Sequence, residues 1–386
     1  MIEILDNMNC CGCSACYSIC PQDAIDMLCD EQGFLYPKVR EKNCVQCGLC
    51  NKICPYENYN RPYEDLEKTF VGINLNETIR SKSSSGGLFA VLAGRILDRN
   101  GVVFGAAYDS EWMAFHKPIE RKSDIPDLIG SKYMQSRMGD CFKQVKSLLQ
   151  MGKEVLFVGT TCQINGLKNY LINDYTNLLT VDFICLGVPS PMIWRDYLDT
   201  FFQKETIKYI NFKDKSLGWH TFSLRIDENN RTFCKNGKET YYFNGYFRHL
   251  YTRPSCANCV AKKGNRMSDI TISDCWGYDV IAPEMDDNKG MSSIVCHSEK
   301  GLRLFEECKE SLKWKEGSIE DIIQYNSGYR ESAPDGENKN AFWNDYKKLD
   351  KKKLFIKYCS PIKNDIVSRA TRKIGKIIRM VCGGKR

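Results

Sequence analysis

Apolar and polar positions along this chain switch between a two-residue and a helical period, and the switches mark out its elements. Residues 69–75 read as a strand, and the small residues at 83–87 open a helix running to about residue 100. A continuous apolar run over 101–107 predicts a buried strand. A helix near 140–151 follows, then a strand over 154–158, a loop at 159–162, a helix to about 171 and a strand over 178–184. Strands alternating with helices predict an α/β core with parallel pairs. From about 207 to 247 the pattern becomes one of β-rich hairpins, with strands over 220–226 and 240–243. Strands over 269–273 and 292–296 then lead into a helix near 299–312.

No apolar run approaches the roughly 18–20 residues that a membrane span needs, so no transmembrane helix is expected. The first residues show neither a basic start nor an apolar stretch of the secretory kind, and a cytoplasmic chain is expected. At 386 residues, 42% hydrophobic and 27% charged, the composition is that of an ordinary globular protein of two or three packed units. The 21 cysteines are not ordinary. An odd number without an export signal does not read as a disulfide framework, and four scattered histidines supply little for a Cys/His site. Iron–sulfur ligation becomes the leading expectation.

The net charge of +7 is uneven. From residue 347 onward fourteen Lys and Arg face two acids, which leaves the preceding body at about −5. In that tail Ile362, Ile366, Val367, Ala370, Ile374, Ile377, Ile378 and Val381 fall on one side of a helical wheel, with Arg369, Arg372, Lys376 and Arg379 largely opposite. Such a basic amphipathic helix suits peripheral attachment at the inner membrane surface, the alternative being a helix docked on the acidic body. Nucleic acid is not expected as a partner, because base-reading patterns are missing there.

Cys10, Cys13, Cys16 and Cys20-Pro21 form Cys-x2-Cys-x2-Cys-x3-Cys-Pro, and Cys44, Cys47, Cys50 and Cys54-Pro55 repeat it 34 residues on. Three evenly stepped thiolates wrap one cubane, while the fourth, beyond a short turn, reaches the other cluster. Two 4Fe–4S clusters are therefore predicted, one on Cys10, Cys13, Cys16 and Cys54, the other on Cys44, Cys47, Cys50 and Cys20. Structural zinc, the alternative, gives no reason for a third step or for the Cys-Pro. Cys11 and Cys29 fall outside the register and read as spectators. The organisation predicted is mixed α/β (α+β): a bacterial-ferredoxin-like domain over 1–56, a linker over 57–68, a larger α/β domain over 69–315, and a polar, basic tail over 316–386.

Further motifs lie in the larger domain: Ser84-Ser85-Gly86-Gly87, Gly130-Ser131-Lys132-Tyr133-Met134-Gln135, Gly159-Thr160-Thr161-Cys162-Gln163, Cys185-Leu186-Gly187 and Arg253-Pro254-Ser255-Cys256-Ala257-Asn258-Cys259. With Asp274-Cys275-Trp276-Gly277 they resemble the coenzyme F420 hydrogenase/dehydrogenase beta-subunit family. That family includes the iron–sulfur flavoenzyme 7-hydroxymethyl chlorophyll a reductase. Thr161 stands where the family's motif has proline, and Leu186 where it has histidine. Both motifs keep the cysteine and with it a ligand role, and the missing histidine at Leu186 counts against a proton-transfer function there.

The resemblance implies an oxidoreductase carrying FAD and 4Fe–4S clusters. It would move electrons between a reduced ferredoxin or other redox protein and a small-molecule acceptor. Cys162 and Cys185 follow predicted core strands, where α/β sheets build their sites, and Cys256 and Cys259 form a Cys-x2-Cys pair. A third 4Fe–4S cluster on these four is expected, with zinc or no metal as alternatives. No Gly-x-Gly-x-x-Gly follows a strand, so flavin binding rests on the resemblance. Its candidate residues are Ser84, Ser85, Gly86 and Gly87 before a helix, where free amides favour a phosphate or simply carry a serine cap. Ser131, Lys132, Tyr133 and Gln135 are candidates for a cation and hydrogen bonds to flavin or substrate. Two other functions fit the same residues: a non-enzymatic electron-transfer subunit of a larger complex, and a subunit using F420 itself as acceptor.

Overall fold

In the computed structural model, which describes residues 2–3, 6–57, 66–262 and 266–361, a hairpin of β1 (Ile25–Cys29) and β2 (Leu35–Val39) opens the chain. Short helices Ala15–Ile19 and Leu49–Lys52 flank it. The larger part is organised by β3 (Lys68–Asn74), β4 (Val102–Tyr108), β5 (Ala114–Ile119), β6 (Val155–Thr160), β7 (Leu178–Phe183), β11 (Ile270–Asp274), β12 (Ser292–Cys296) and β13 (Leu312–Glu316). They form one sheet in the order β13-β3-β12-β11-β7-β6-β4-β5. Its centre, β4-β6-β7-β11, is parallel, and antiparallel strands complete both sides. A parallel centre needs both faces covered, which is why its strands read as nearly continuous apolar runs.

Alternation along each strand divides the core. Val103, Leu156, Leu179, Ile270 and Ile294 turn to one face, under helices Leu88–Asp98 and Glu299–Cys308. Val102, Phe104, Val155, Phe157 and Leu178 turn to the other, under helices Cys141–Gln150 and Thr161–Leu171. The mixed α/β class predicted from the pattern is the one observed.

A separate three-stranded antiparallel sheet joins β8 (Ile207–Asp214), β9 (Ser223–Glu228) and β10 (Thr232–Asn236) in the order β10-β9-β8. Helices Pro191–Phe201, Tyr241–Phe247 and Lys351–Cys359 close over it around an aromatic core of Trp194, Phe212, Tyr242 and Phe243. The Trp194 and Phe212 rings lie 4.5 Å apart.

Three local expectations are corrected. Residues 240–243 begin a helix, not a strand, because the Thr240 side chain accepts from Phe243 N and the aromatic residues that look strand-like bury as one helical face. Residues 159 and 160 continue β6, and Cys162 lies in the first turn of a helix instead of a loop. The run 220–226 starts with a turn at Trp219–Thr221 before β9 begins. Within the stretch read as a polar tail, residues up to 361 are folded, with Phe342, Leu354 and Phe355 fully buried in the aromatic core. The basic helix expected at 362–381 and most of the expected linker lie outside the described residues. Among the described residues no helix is long and apolar enough to cross a membrane.

Candidate functional site

Each amino-terminal motif curls because a glycine takes the left-handed region: Gly12 has φ +67° and Gly48 φ +72°. Gly12 has no alternative, since a Cβ there would lie 2.6 Å from Gln135 Nε2 and 2.9 Å from the Leu35 carbonyl. The curl brings Cys10, Cys13, Cys16 and Cys54 around a cleft of about 330 Å³. Cys20 joins Cys44, Cys47 and Cys50 around a second cleft of about 380 Å³. The fourth cysteine of each motif therefore lies with the other motif. Burial pushes the Cys16 and Cys54 thiols up, so bare thiols hold their protons and metal loading must displace them. Cys47, by contrast, is exposed.

Among the described residues no three His, Cys, Asp or Glu side chains converge on a single metal ion. Four cysteines line each cleft, which is the donor set a 4Fe–4S cubane takes.

Two of the core cysteines, Cys162 and Cys185, are delivered by strand ends, while Cys256 lies in the 3-10 turn Pro254–Asn258 and Cys259 caps it. β6 stops at Thr160, where a capping box closes the next helix: Thr160 N donates to Gln163 Oε1 at 2.9 Å. That turn sets Cys162 beside Thr160 Oγ1, 3.1 Å from its sulfur. β7 ends two residues before Cys185, whose sulfur accepts from Gly187 N at 3.3 Å. Gly187 has φ +96°, and a Cβ there would come within 2.6 Å of Thr252 and 3.3 Å of Cys256. Val188 N donates to the Cys256 sulfur at 3.4 Å. Amides aimed at sulfur favour thiolate, while burial opposes it and pushes Cys185 up to about 11 and raises Cys256 and Cys259 too. Neighbouring thiols contribute to each rise, with Cys162 felt by Cys185, Cys256 and Cys259. These four are brought together.

Two features of this region were not legible in the motifs. Cys11, read as a spectator, keeps its free thiol beside those of both Cys13 and Cys162 and so lies where the amino-terminal unit meets the core set. Fully buried Asp182 anchors the same strand end, accepting from Arg266 Nη1 at 2.5 Å and Thr271 Oγ1 at 2.6 Å. The Lys262 ammonium holds the Cys185 carbonyl at 2.8 Å.

The flavin candidates divide. Ser84 and Ser131 meet, the Ser84 hydroxyl accepting from Ser131 N at 2.7 Å. Ser85 donates to the Met291 carbonyl, and its own carbonyl accepts from the Lys215 ammonium at 2.6 Å. Gly86 is wedged between β3 and β12, and Gly87, at φ +83°, starts helix Leu88–Asp98 without a side-chain cap, leaving its first amides available. Lys132 donates instead to the carbonyls of Asp127 and Ile129, and burial lowers its ammonium to about 7. The Tyr133 ring packs on Phe243 and Tyr246 at 5.0 and 5.4 Å. Gln135 is committed to the first cysteine motif, donating to the Cys11 carbonyl at 3.3 Å. An ion pair absent from the motif reading, Lys213 with Asp274 at 2.7 Å, lies under Trp219 and Trp276.

Residues 152–322 match the family model for the carboxyl-terminal part of the coenzyme F420 hydrogenase/dehydrogenase beta subunit. Residues 9–58 match the 4Fe–4S dicluster domain. The family resemblance read from the motifs is borne out. Among solved structures, the chain is similar to one from the F420-reducing [NiFe] hydrogenase complex of Methanosarcina barkeri, with TM-score 0.50 and 14% identity. The match covers 74% of this chain and 94% of the other, and it supports the same fold. No curated protein matches the chain.

Proposed function

We propose that the chain is an iron–sulfur flavoprotein oxidoreductase, moving electrons between a ferredoxin-like donor protein and an organic acceptor. The observation that carries this reading is the gathering of Cys162, Cys185, Cys256 and Cys259 at the carboxyl ends of β6 and β7, joined through Cys11 to the amino-terminal motifs. Such an arrangement has little use in a free carrier, because it leads inward. In this reading Cys10, Cys13, Cys16 and Cys54 hold one 4Fe–4S cluster, Cys20, Cys44, Cys47 and Cys50 a second, and Cys162, Cys185, Cys256 and Cys259 a third. When bound, these groups supply one-electron storage, and FAD supplies the exchange between single electrons and a hydride equivalent.

The residues around them do the rest. Gly187 N and Val188 N stabilise charge on the Cys185 and Cys256 sulfurs. Ser84, Ser131 and the uncapped turn after Gly87 offer donors to a phosphate. The aromatic wall of Tyr133, Trp219 and Trp276 keeps water from the neighbourhood of Lys213. The matched family's description favours coenzyme F420 as the acceptor over other hydride acceptors.

Anaerobic purification with iron and flavin quantitation tests the reading. About twelve irons and about one FAD per chain are expected, falling to about eight irons in Cys185→Ser or Cys256→Ser. About eight irons in the parent protein without flavin would overturn it in favour of an electron-transfer subunit serving a partner enzyme.

A further inference from the structure

Five Lys and Arg side chains are buried among the described residues. Arg80 pairs with Asp287, Arg266 with Asp182 and Lys213 with Asp274. The remaining two, Arg253 and Lys262, pair with no carboxylate, and both lie against the cysteine sets. Arg253 is the more enclosed, at 1% exposure.

Its donors all meet neutral acceptors or sulfur. Nε donates to the Cys10 carbonyl at 2.8 Å, Nη1 to Gln135 Oε1 at 2.9 Å, and Nη2 to the Leu35 carbonyl at 2.9 Å and the Cys10 sulfur at 3.7 Å. The guanidinium stacks on Tyr36 and Phe34, 4.2 and 5.3 Å from their centroids. These contacts satisfy its hydrogen bonds and leave its charge uncompensated. A buried guanidinium cannot shed its proton, so the site must supply negative charge by another route. The acidic groups that bear on Arg253 are Cys10, Tyr36, Cys11 and Cys256. Of these, Cys10 is the one whose sulfur the guanidinium reaches directly.

We propose that Arg253 is the built-in counter-cation of the centre on Cys10, Cys13, Cys16 and Cys54, and that it makes this centre easier to reduce than the one on Cys20, Cys44, Cys47 and Cys50. The proposal rests on the ligand sets given above. One-electron reduction of a thiolate-bound centre adds a unit of negative charge, with no bond made or broken and no proton required. A fixed cation hydrogen-bonded to a ligand sulfur stabilises that added charge, and net charge and hydrogen bonds to sulfur are what set such potentials. The second centre, with Cys47 exposed, leans on solvent instead. The order favours electron flow from the solvent-facing centre towards the core.

The test is a dithionite titration of the full, cluster-loaded chain, followed by electron paramagnetic resonance, with Cys47→Ser used to assign the outer signal. In Arg253→Gln the inner midpoint moves to lower potential and the outer one stays. Arg253→Lys retains most of the parent value. Gln135→Glu gives the guanidinium a carboxylate in place, and the inner midpoint falls there too. If Arg253→Gln fails to load, Gln135→Glu decides. Midpoints unmoved in the loaded variants, or both centres moving equally, overturn the proposal. A parent protein that takes up no iron would instead remove the ligand assignment beneath it.

Discussion

His116 and His297 sit where protonation has no room. His116 bonds to Ser136 Oγ at 2.7 Å and the Val158 carbonyl at 3.0 Å, and His297 to Thr271 Oγ1 at 2.8 Å. Burial lowers each to about 4. The unfolded chain takes up both protons below about 6.5, while the folded chain resists until near pH 4. Their stabilising effect is therefore complete above that upper pH and lost as pH falls through the window. At pH 5 each histidine costs about 2 kcal/mol relative to neutral pH. The gap between the urea midpoints at pH 7 and pH 5 should narrow in His116→Gln, with the His297 share left in place, and an unchanged gap would refute the assignment. Single residues also show where sequence reading stops. Cys11 breaks the cluster register and so reads as idle, because register reports one motif and not what a distant helix brings against it. Arg253 is visible only as the residue three positions before a Cys-x2-Cys pair.

Elements were more legible, for a physical reason. The parallel strands β4, β6 and β7 are short apolar runs between turn residues, and burial on both faces leaves little else for them to be. Segment 240–247 misled because aromatic residues favour strands in general, while here one hydroxyl cap tips the balance. Thr240→Ala should cost about 1 kcal/mol, read as a lower thermal midpoint. The loop at 83–87 was found from its small residues, but the sequence could not tell a phosphate cradle from a plain cap. In space Gly86 is pressed by the backbone of both neighbouring strands, a Cβ there falling 2.5 Å from the Gly72 carbonyl and 2.7 Å from Ser292 N. Gly86→Ala should displace the Ser84–Ser131 contact and lower flavin content in otherwise cluster-loaded protein, measured by absorbance after denaturation.

At the scale of the whole molecule, one of the tight contacts that seat the amino-terminal unit on the core falls at a helical glycine. A Cβ on Gly166, in the middle of helix Thr161–Leu171, would lie 2.7 Å from the Cys13 sulfur and 2.8 Å from its Cβ. Gly166→Ala would favour the helix locally yet push the first cysteine loop away. The expected result is faster proteolytic release of residues 1–57 with the aromatic core intact, and equal cleavage rates would argue against a rigid seat. Nothing in the sequence marked this glycine, since helical glycines are read as defects unless the opposing surface is known. Also at this scale, Cys20 lies with the second motif and Cys54 with the first. Two copies of one loop stop being divisible once each has lent its last cysteine to its twin. Neither half can be trimmed, swapped for a foreign repeat or allowed to drift alone, so the duplication is held in place by mutual debt.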